Sequence, residues 1–385
     1  MHKNIVKSVF ILMLIAGNTH AQKNENTYSI KSILTKPAAP VSPTVHADKT
    51  ITFRLKAPSA KQVNLLFGEW DIKPQAMRKD SVGVWSITIG PVAPNIYAYL
   101  FSVDGINTLD FANSAIKSGL EIYSNVVEVP GTPARFDEVQ EVPHGVLQHL
   151  TYTSTALKMR RGLTVFVPAE YALRTNQQFP VLYLRHGGGD NETSWTQSAG
   201  KADVILENLL AEKMAEPMII VMTNGLIDGS WAGGSSKEGM AVLEAELLNE
   251  VIPVVERNYR VKPGKNARAI AGLSMGGGQA YIMGLKNLDK FSWIGQFSSG
   301  LLSDVDFNLN DRIPGIYSQK EEINKNIKLL WIGCGTLDPR YNGHLAMAEK
   351  LKESGIVYEF HSDEGGHEWK VWRNQLHGFL QRLFK

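Results

Sequence analysis

The stretch ARAIAGLSMGGGQAYIMGL, residues 267–285, joins a short apolar run to a helix-forming pattern through one serine, Ser274, with Gly272 and Gly276 two residues away on either side. A strand that turns into a helix at a single residue forces that residue into a strained backbone conformation. A Cβ at either flanking position would then collide with the neighbouring strand and helix, which glycine avoids. In that strand–turn–helix setting, Gly-x-Ser-x-Gly holds a serine hydroxyl out at the top of a sheet. With 34 glycines in 385 residues, the five-residue pattern alone carries moderate weight. Its context makes Ser274 a candidate nucleophile rather than filler at a tight turn.

Working outward, FPVLYLRHG, PMIIVMTNG, WIGQFSSG, IKLLWIGCGT and VYEFHSDEGG are further short apolar runs, most of them closed by glycine. Amphipathic helical stretches at 202–214, 240–258, 276–287 and 343–354 lie between several of them. Near-continuous apolar strands alternating with helices predict a mostly parallel sheet covered on both faces. LTYTSTALKMRRGLTVFVP, ahead of these runs, reads as an entry hairpin. Earlier still the period is two: ITFRLKA, QVNLLFG, GVWSITI and IYAYLFSVDG place β-branched or aromatic residues at alternate positions, with Asp104-Gly105 as a hairpin turn. These runs predict a small all-β sandwich. The expected division is a leader at 1–21, a proline-rich lead-in at 22–45, a β-sandwich at 46–130, a linker at 131–148 and an α/β domain at 149–385.

Composition narrows the function. The chain is 43% apolar and 20% charged, with a net charge of +2 and no basic run, which argues against nucleic acid as a partner. At the N-terminus, Lys3 and Lys7 precede an apolar core from Val9 to Ala16, then Thr19-His20-Ala21. This is the layout of a secretory signal peptide cleaved after Ala21. Its core falls well short of the roughly 20 residues needed to span a bilayer, so the expected product is secreted or periplasmic, with no membrane attachment after cleavage. Cys334 is the only cysteine. No intramolecular disulfide can form, and its apolar surroundings predict a buried structural thiol. Metal-ligand, P-loop and dinucleotide spacings are absent, so no metal or cofactor is expected. Oligomeric state is not legible.

A serine hydroxyl needs a base, and the base an orienting carboxylate. In an α/β-hydrolase these follow in the order Ser, acid, His. Downstream of Ser274 stand His344, His361, His367 and His377. His344 and His377 fall on helices, and His361 lies inside a strand-like run as the main competitor. His367, in the glycine-hinged loop DEGGHEW, is the candidate base. Asp338, just past the run ending WIGCGT, is the candidate acid, with Asp363 and Glu364 as rivals on the histidine's own loop. The developing oxyanion needs two backbone donors. Met275 supplies one, and the HGGG loop at 186–189 supplies the other through Gly188, with Gly189 as the alternative.

PVLYLRHGGGDNETSW, ELLNEVIPVVERNYRV, AIAGLSMGGGQA, LLWIGCGTLD and GGHEWKVWRNQL stand in an order and spacing that resembles the esterase-D-like branch of the α/β-hydrolases. That branch includes carbohydrate esterase family one, with its feruloyl and acetylxylan esterases, and the enterochelin-esterase-like proteins. The resemblance covers about residues 145–385. The front module resembles the early-set immunoglobulin-like domain related to family-48 carbohydrate-binding modules. The implied fold is an α/β-hydrolase three-layer sandwich preceded by a small immunoglobulin-like sandwich.

The implied function is a secreted serine esterase acting on ester decorations of plant polysaccharide, feruloyl esters first. Acetylated sugars are the alternative, followed by a siderophore trilactone or a silent glycan-binding relic. Carried over residue by residue, the pattern gives Ser274, His367, Asp338, Met275 and the 187–189 loop the roles above. Arg185 departs from the family, which has an apolar residue there, with substrate and the domain interface as its two candidate targets. Trp195, Trp231 and Trp369 are the candidate substrate walls, and Trp372 is expected in the core. The sandwich either binds glycan or buttresses the esterase. Of its tryptophans, Trp70 and Trp85, the second sits in a strand-like run and favours the buttress.

Overall fold

Period-two alternation folds the front of the chain into two antiparallel sheets in a computed structural model that describes residues 39–69, 72–300 and 309–385. The expected leader and Trp70 lie outside the described residues. One sheet runs Thr44–Val45, Ile51–Lys56, Val84–Ile89, Arg78–Lys79. Its first strand was expected in the lead-in, yet Thr44 pairs with Thr52. The other runs Gln75–Ala76, Val63–Phe67, Asn95–Val103, Ile122–Val129, Ile116–Ser118, with Ile106–Thr108 also pairing Asn95–Val103. Alternate residues of the two sheets, among them Ile51, Phe53, Val63, Leu65, Phe101 and Val127, meet in one core. Trp85 belongs to it, its indole N–H donating to the Ala57 carbonyl at 2.9 Å. Asp104 and Gly105 both take positive φ, 47° and 87°, as a two-residue hairpin turn requires.

From Val146 the chain builds one eight-stranded sheet, its strands numbered here in chain order. The entry hairpin is β1 (Val146–Ser154) and β2 (Met159–Val167). Then come β3 (Val181–Arg185), β4 (Ile219–Thr223), β5 (Arg268–Leu273), β6 (Trp293–Phe297), β7 (Leu329–Gly335) and β8 (Glu359–Asp363). The spatial order is β1-β2-β4-β3-β5-β6-β7-β8. β2 pairs antiparallel with both β1 and β4, and every later pairing is parallel. All residues of β3, β4, β6 and β7 are buried, because helices cover both faces.

Those helices are α1 (Ala202–Ala211), α2 (Lys237–Glu246), α3 (Ile252–Asn258), α4 (Ser274–Lys286), α5 (Tyr341–Glu353) and α6 (Trp369–Leu380). A π-turn at Leu247–Val251 joins α2 to α3. Residues of β3 alternate between the faces: Val181 and Tyr183 pack with α2 to α5, while Leu182 and Leu184 pack with α1 and α6. Cys334 is buried in β7, and that burial pushes its thiol up to about 12.

Residues from Pro40 to Lys385 form one compact unit. The segment expected as a linker is tied down. Asn208 on α1 donates to the carbonyls of Phe136 and Glu138, and Arg135 pairs with Asp137 at 2.8 Å. Arg373 on α6, 1% exposed, reaches Asp137 at 2.7 Å, the Ala199 carbonyl at 2.6 Å and Asn95 of the sandwich at 2.7 Å. Losing Arg373 leaves Asp137 paired with Arg135 but strips the buried Ala199 carbonyl and Asn95 of their donor, at about 1–3 kcal/mol. Arg373→Met is expected to lose about 1–3 kcal/mol of stability, read as a lower urea midpoint with an unchanged m-value.

Candidate active site

β5 ends in the turn on which the site is built. Leu273 is extended, with φ −106° and ψ 148°, and Ser274 takes φ +49°, a left-handed conformation that strains a residue with a Cβ. A Cβ on Gly272 would stand 2.5 Å from the Gly276 carbonyl oxygen, and one on Gly276 would stand 2.2 Å from that of His186. The glycines therefore let β3, β5 and the start of α4 close together around the serine. Because α4 begins at Ser274, the N–H of Met275 lies in its first turn and has no acceptor within the helix.

The loops after β7 and β8 are laced together. Thr336 N–H donates to the Asp363 carbonyl and Leu337 N–H to that of Gly365, each at 2.8 Å. This lacing brings Asp338 and His367 to Ser274. His367 Nδ1 lies 2.6 Å from Asp338 Oδ2, and its Nε2 lies 2.9 Å from Ser274 Oγ. A carboxylate only accepts, so Nδ1 carries the proton and the Nε2 lone pair faces the hydroxyl. Burial alone would push the Asp338 carboxyl up. The hydrogen bond from His367, then the Arg340 N–H at 2.9 Å, outweigh it and hold the group below its ordinary value. An ionised carboxylate, an oriented imidazole and a hydroxyl in this sequence can activate the hydroxyl as a nucleophile.

The competing residues lie elsewhere. His361 stacks on the Trp331 ring at 3.5 Å and faces Glu359. His344 is buried against Gln296, and His377 packs on Phe136. Asp363 accepts from Gln375 and Glu364 is exposed.

Of the two candidate donors in the 186–189 loop, Gly189 is excluded by its engagement: its N–H donates to the Trp231 carbonyl at 2.8 Å. Gly188 lines the cavity beside Ser274. His186 fixes this loop. Its Nε2 accepts the Gly225 N–H at 2.8 Å, so Nδ1 donates to the Gly187 carbonyl at 2.8 Å. Arg185 reaches neither substrate nor the domain interface. It is buried, donating to Gln279 on α4 at 2.8 Å and Thr223 on β4 at 3.1 Å, and burial lowers its guanidinium to about 10.

A cavity of about 380 Å³ opens over Ser274 and His367. Trp231, 50% exposed, and Trp369 line it as expected. Trp195 does not. It is 1% exposed, packs edge-on against Trp369 and donates its indole N–H to the Arg185 carbonyl. Trp372 is buried in the core as expected, and it also lines the cavity and meets the His367 ring edge-on at 5.0 Å. Its three-residue spacing from Trp369 on one helix face was the available signal. The opposite wall comes from the sandwich, through Leu66, Glu69, Lys117 and Tyr123. No motif announced these. The sandwich is thus more than a buttress, for it encloses the cavity.

His186 carries a pH consequence. Burial holds its imidazole down to about 3, whereas an unfolded histidine takes up a proton near pH 6.5. Between those values the unfolded chain binds the extra proton, so stability falls as pH drops. In His186→Gln the slope of unfolding free energy against pH between 4 and 6 is expected to be shallower by up to about 1.4 kcal/mol per unit, measured by urea titrations at each pH.

Residues 154–383 match the family described as "Putative esterase". An endo-1,4-beta-xylanase/feruloyl esterase of Xylanibacter ruminicola is 31% identical over 351 residues, covering 89% of this chain and 46% of that protein. The chain therefore spans about half the length of that relative. Among solved structures, a CE1 ferulic acid esterase from Anaeromyces mucronatus superposes with a TM-score of 0.55 at 22% identity, over 65% of this chain and 94% of that one. The enterobactin esterase from Shigella flexneri superposes with a TM-score of 0.65 at 17% identity, over 91% and 97%. At these identities the structural likeness is one of fold.

Proposed function

The chain belongs to the putative esterase family, and on that premise we propose that it is a serine esterase that removes aromatic acyl groups, feruloyl esters first, from plant cell-wall polysaccharide. The observation that carries this reading is the hydrogen-bonded run Asp338–His367–Ser274, at 2.6 and 2.9 Å, on the floor of a tryptophan-walled cavity. The relative named as a xylanase and feruloyl esterase supports the substrate class. Trp231, Trp369 and Trp372 suit a flat phenolic ring, which aromatic faces and edges bind well. The leader pattern at 1–21 supports work outside the cytoplasm.

In the proposed cycle Ser274 Oγ attacks the ester carbonyl carbon while His367 Nε2 takes the hydroxyl proton. The N–H groups of Met275 and Gly188 receive the negative oxygen of the tetrahedral intermediate. Asp338 stays ionised and stabilises the imidazolium. As the carbon–oxygen bond to the sugar breaks, His367 returns the proton to the departing alcohol. Water then attacks the acyl-enzyme with His367 again as base, releasing the free acid and restoring Ser274.

Hydrolysis of methyl ferulate beside a simple acetyl ester tests this. Ferulate release is expected, and Ser274→Ala is expected to lower kcat on the order of 10⁴-fold or more, with Asp338→Asn down about 10⁴-fold. Ser274-dependent release of acetate alone would move the acyl group to acetylated sugars. Turnover unaffected by Ser274→Ala would sink the mechanism.

A further inference from the structure

The three glycines at 187–189 have the greatest backbone freedom of any residue type, yet a donor placed for an oxyanion must be held to within a fraction of an ångström. Part of the restraint is local: the His186 imidazole on the Gly187 carbonyl, and the Gly189 N–H on the Trp231 carbonyl. The rest comes from the hairpin formed by Ile116–Ser118 and Ile122–Val129 of the sandwich. Leu120 N–H and the Tyr123 hydroxyl both donate to the Gly189 carbonyl, each at 2.8 Å. Lys117 Nζ donates to buried Asp190 at 2.9 Å. On the far side, Asn191 Nδ2 donates to the Gly119 carbonyl at 3.2 Å, and Gln197 Oε1 accepts the Ser118 N–H at 3.0 Å. The approach is close enough that a Cβ on Gly119 would stand 2.2 Å from the Gly189 oxygen.

We propose that this hairpin is a positioning element of the esterase: by clamping Gly189 and Asp190 it fixes the preceding Gly188 N–H where the oxyanion forms. The proposal rests on the serine-esterase reading and deepens it, assigning Gly119, Leu120 and Tyr123 an effect on the chemical step. A wall that merely binds substrate would act on KM. A clamp on the oxyanion loop acts on kcat and on the affinity of a tetrahedral adduct, with substrate binding left in place.

Two variants separate these. Tyr123→Phe removes the hydroxyl and keeps the ring that lines the cavity. Gly119→Ala pushes against the loop from a residue that does not line the cavity. Glu128→Gln is the control, because it loosens the 3.2 Å tie between the sandwich and Lys201 without touching the loop. For each full-length variant, kcat, KM and the affinity of an aryl boronic acid are measured. Hydrogen exchange of the 187–190 amides reads the loop whatever its chemistry.

Gly119→Ala is expected to lower kcat and boronate affinity together by about tenfold or more, and Tyr123→Phe by a smaller factor, since Leu120 remains. KM should stay within about twofold and exchange at Gly189 should quicken, while Glu128→Gln changes none of these. Faster exchange with kcat and boronate affinity unchanged would overturn the clamp, as would a rise in KM alone. If Gly119→Ala fails to fold, Tyr123→Phe decides by the same readouts. A wild-type protein that binds no boronate and turns over without Ser274 would overturn the serine-esterase reading itself, and the clamp with it.

Discussion

The site depends on a crowding constraint at one turn. Ser274 can present its hydroxyl only because the chain reverses from β5 into α4 within a single left-handed residue. That reversal is sterically open only with no side chain at 272 and 276. Such a conformation costs on the order of 1–3 kcal/mol and persists where the surroundings over-determine it. Here the surroundings are the fully buried parallel strands β3 and β6 on either side of β5 and the helix packed upon them. The interior of the large sheet thus holds the strain that the proposed chemistry uses.

The remaining groups are brought to the serine by backbone lacing between neighbouring loops, and their protonation follows from burial and contact. Loops after β7 and β8 hydrogen-bond to each other before either side chain is considered, so Asp338 and His367 arrive as a pair. The Asp338 carboxyl is ionised despite burial, because the imidazole and a backbone N–H satisfy it. His186, at the end of β3 next to β5, has the opposite fate: with no carboxylate beside it, burial keeps it neutral and turns it into a brace. Residue type alone would not separate two histidines that each flank glycines. Their neighbours do.

Much of this was legible in the sequence. The strands and helices of the α/β part follow from apolar runs closed by glycine, and Ser274, Asp338 and His367 from order and loop position. Interior contacts were harder to read. Trp195 sits in a loop-like segment, as a wall residue would, but its ring faces Phe297 and Trp369, and no one-dimensional pattern encodes that inward turn. Choosing Gly188 over Gly189 needed the position of the Trp231 carbonyl, 42 residues further along. The sandwich's share of the cavity was invisible for the same reason. Lys117 and Tyr123 belong to an ordinary two-residue period, and only the tertiary packing sets them opposite His367.

The contact between Gly119 and Gly189 also bears on how such a chain can change over generations. Modular enzymes are often pictured as beads that recombination can trade while each keeps its trade. Here the seam between the two beads passes beside the proposed reactive centre, with one backbone seated against the other and no room for a methyl group. An exchange at that seam would have to deliver a hairpin of the same register and the same small residue, or the recipient would inherit a loosened loop. The heritable unit is the pair, and drift in the front half is bounded by chemistry carried out in the back.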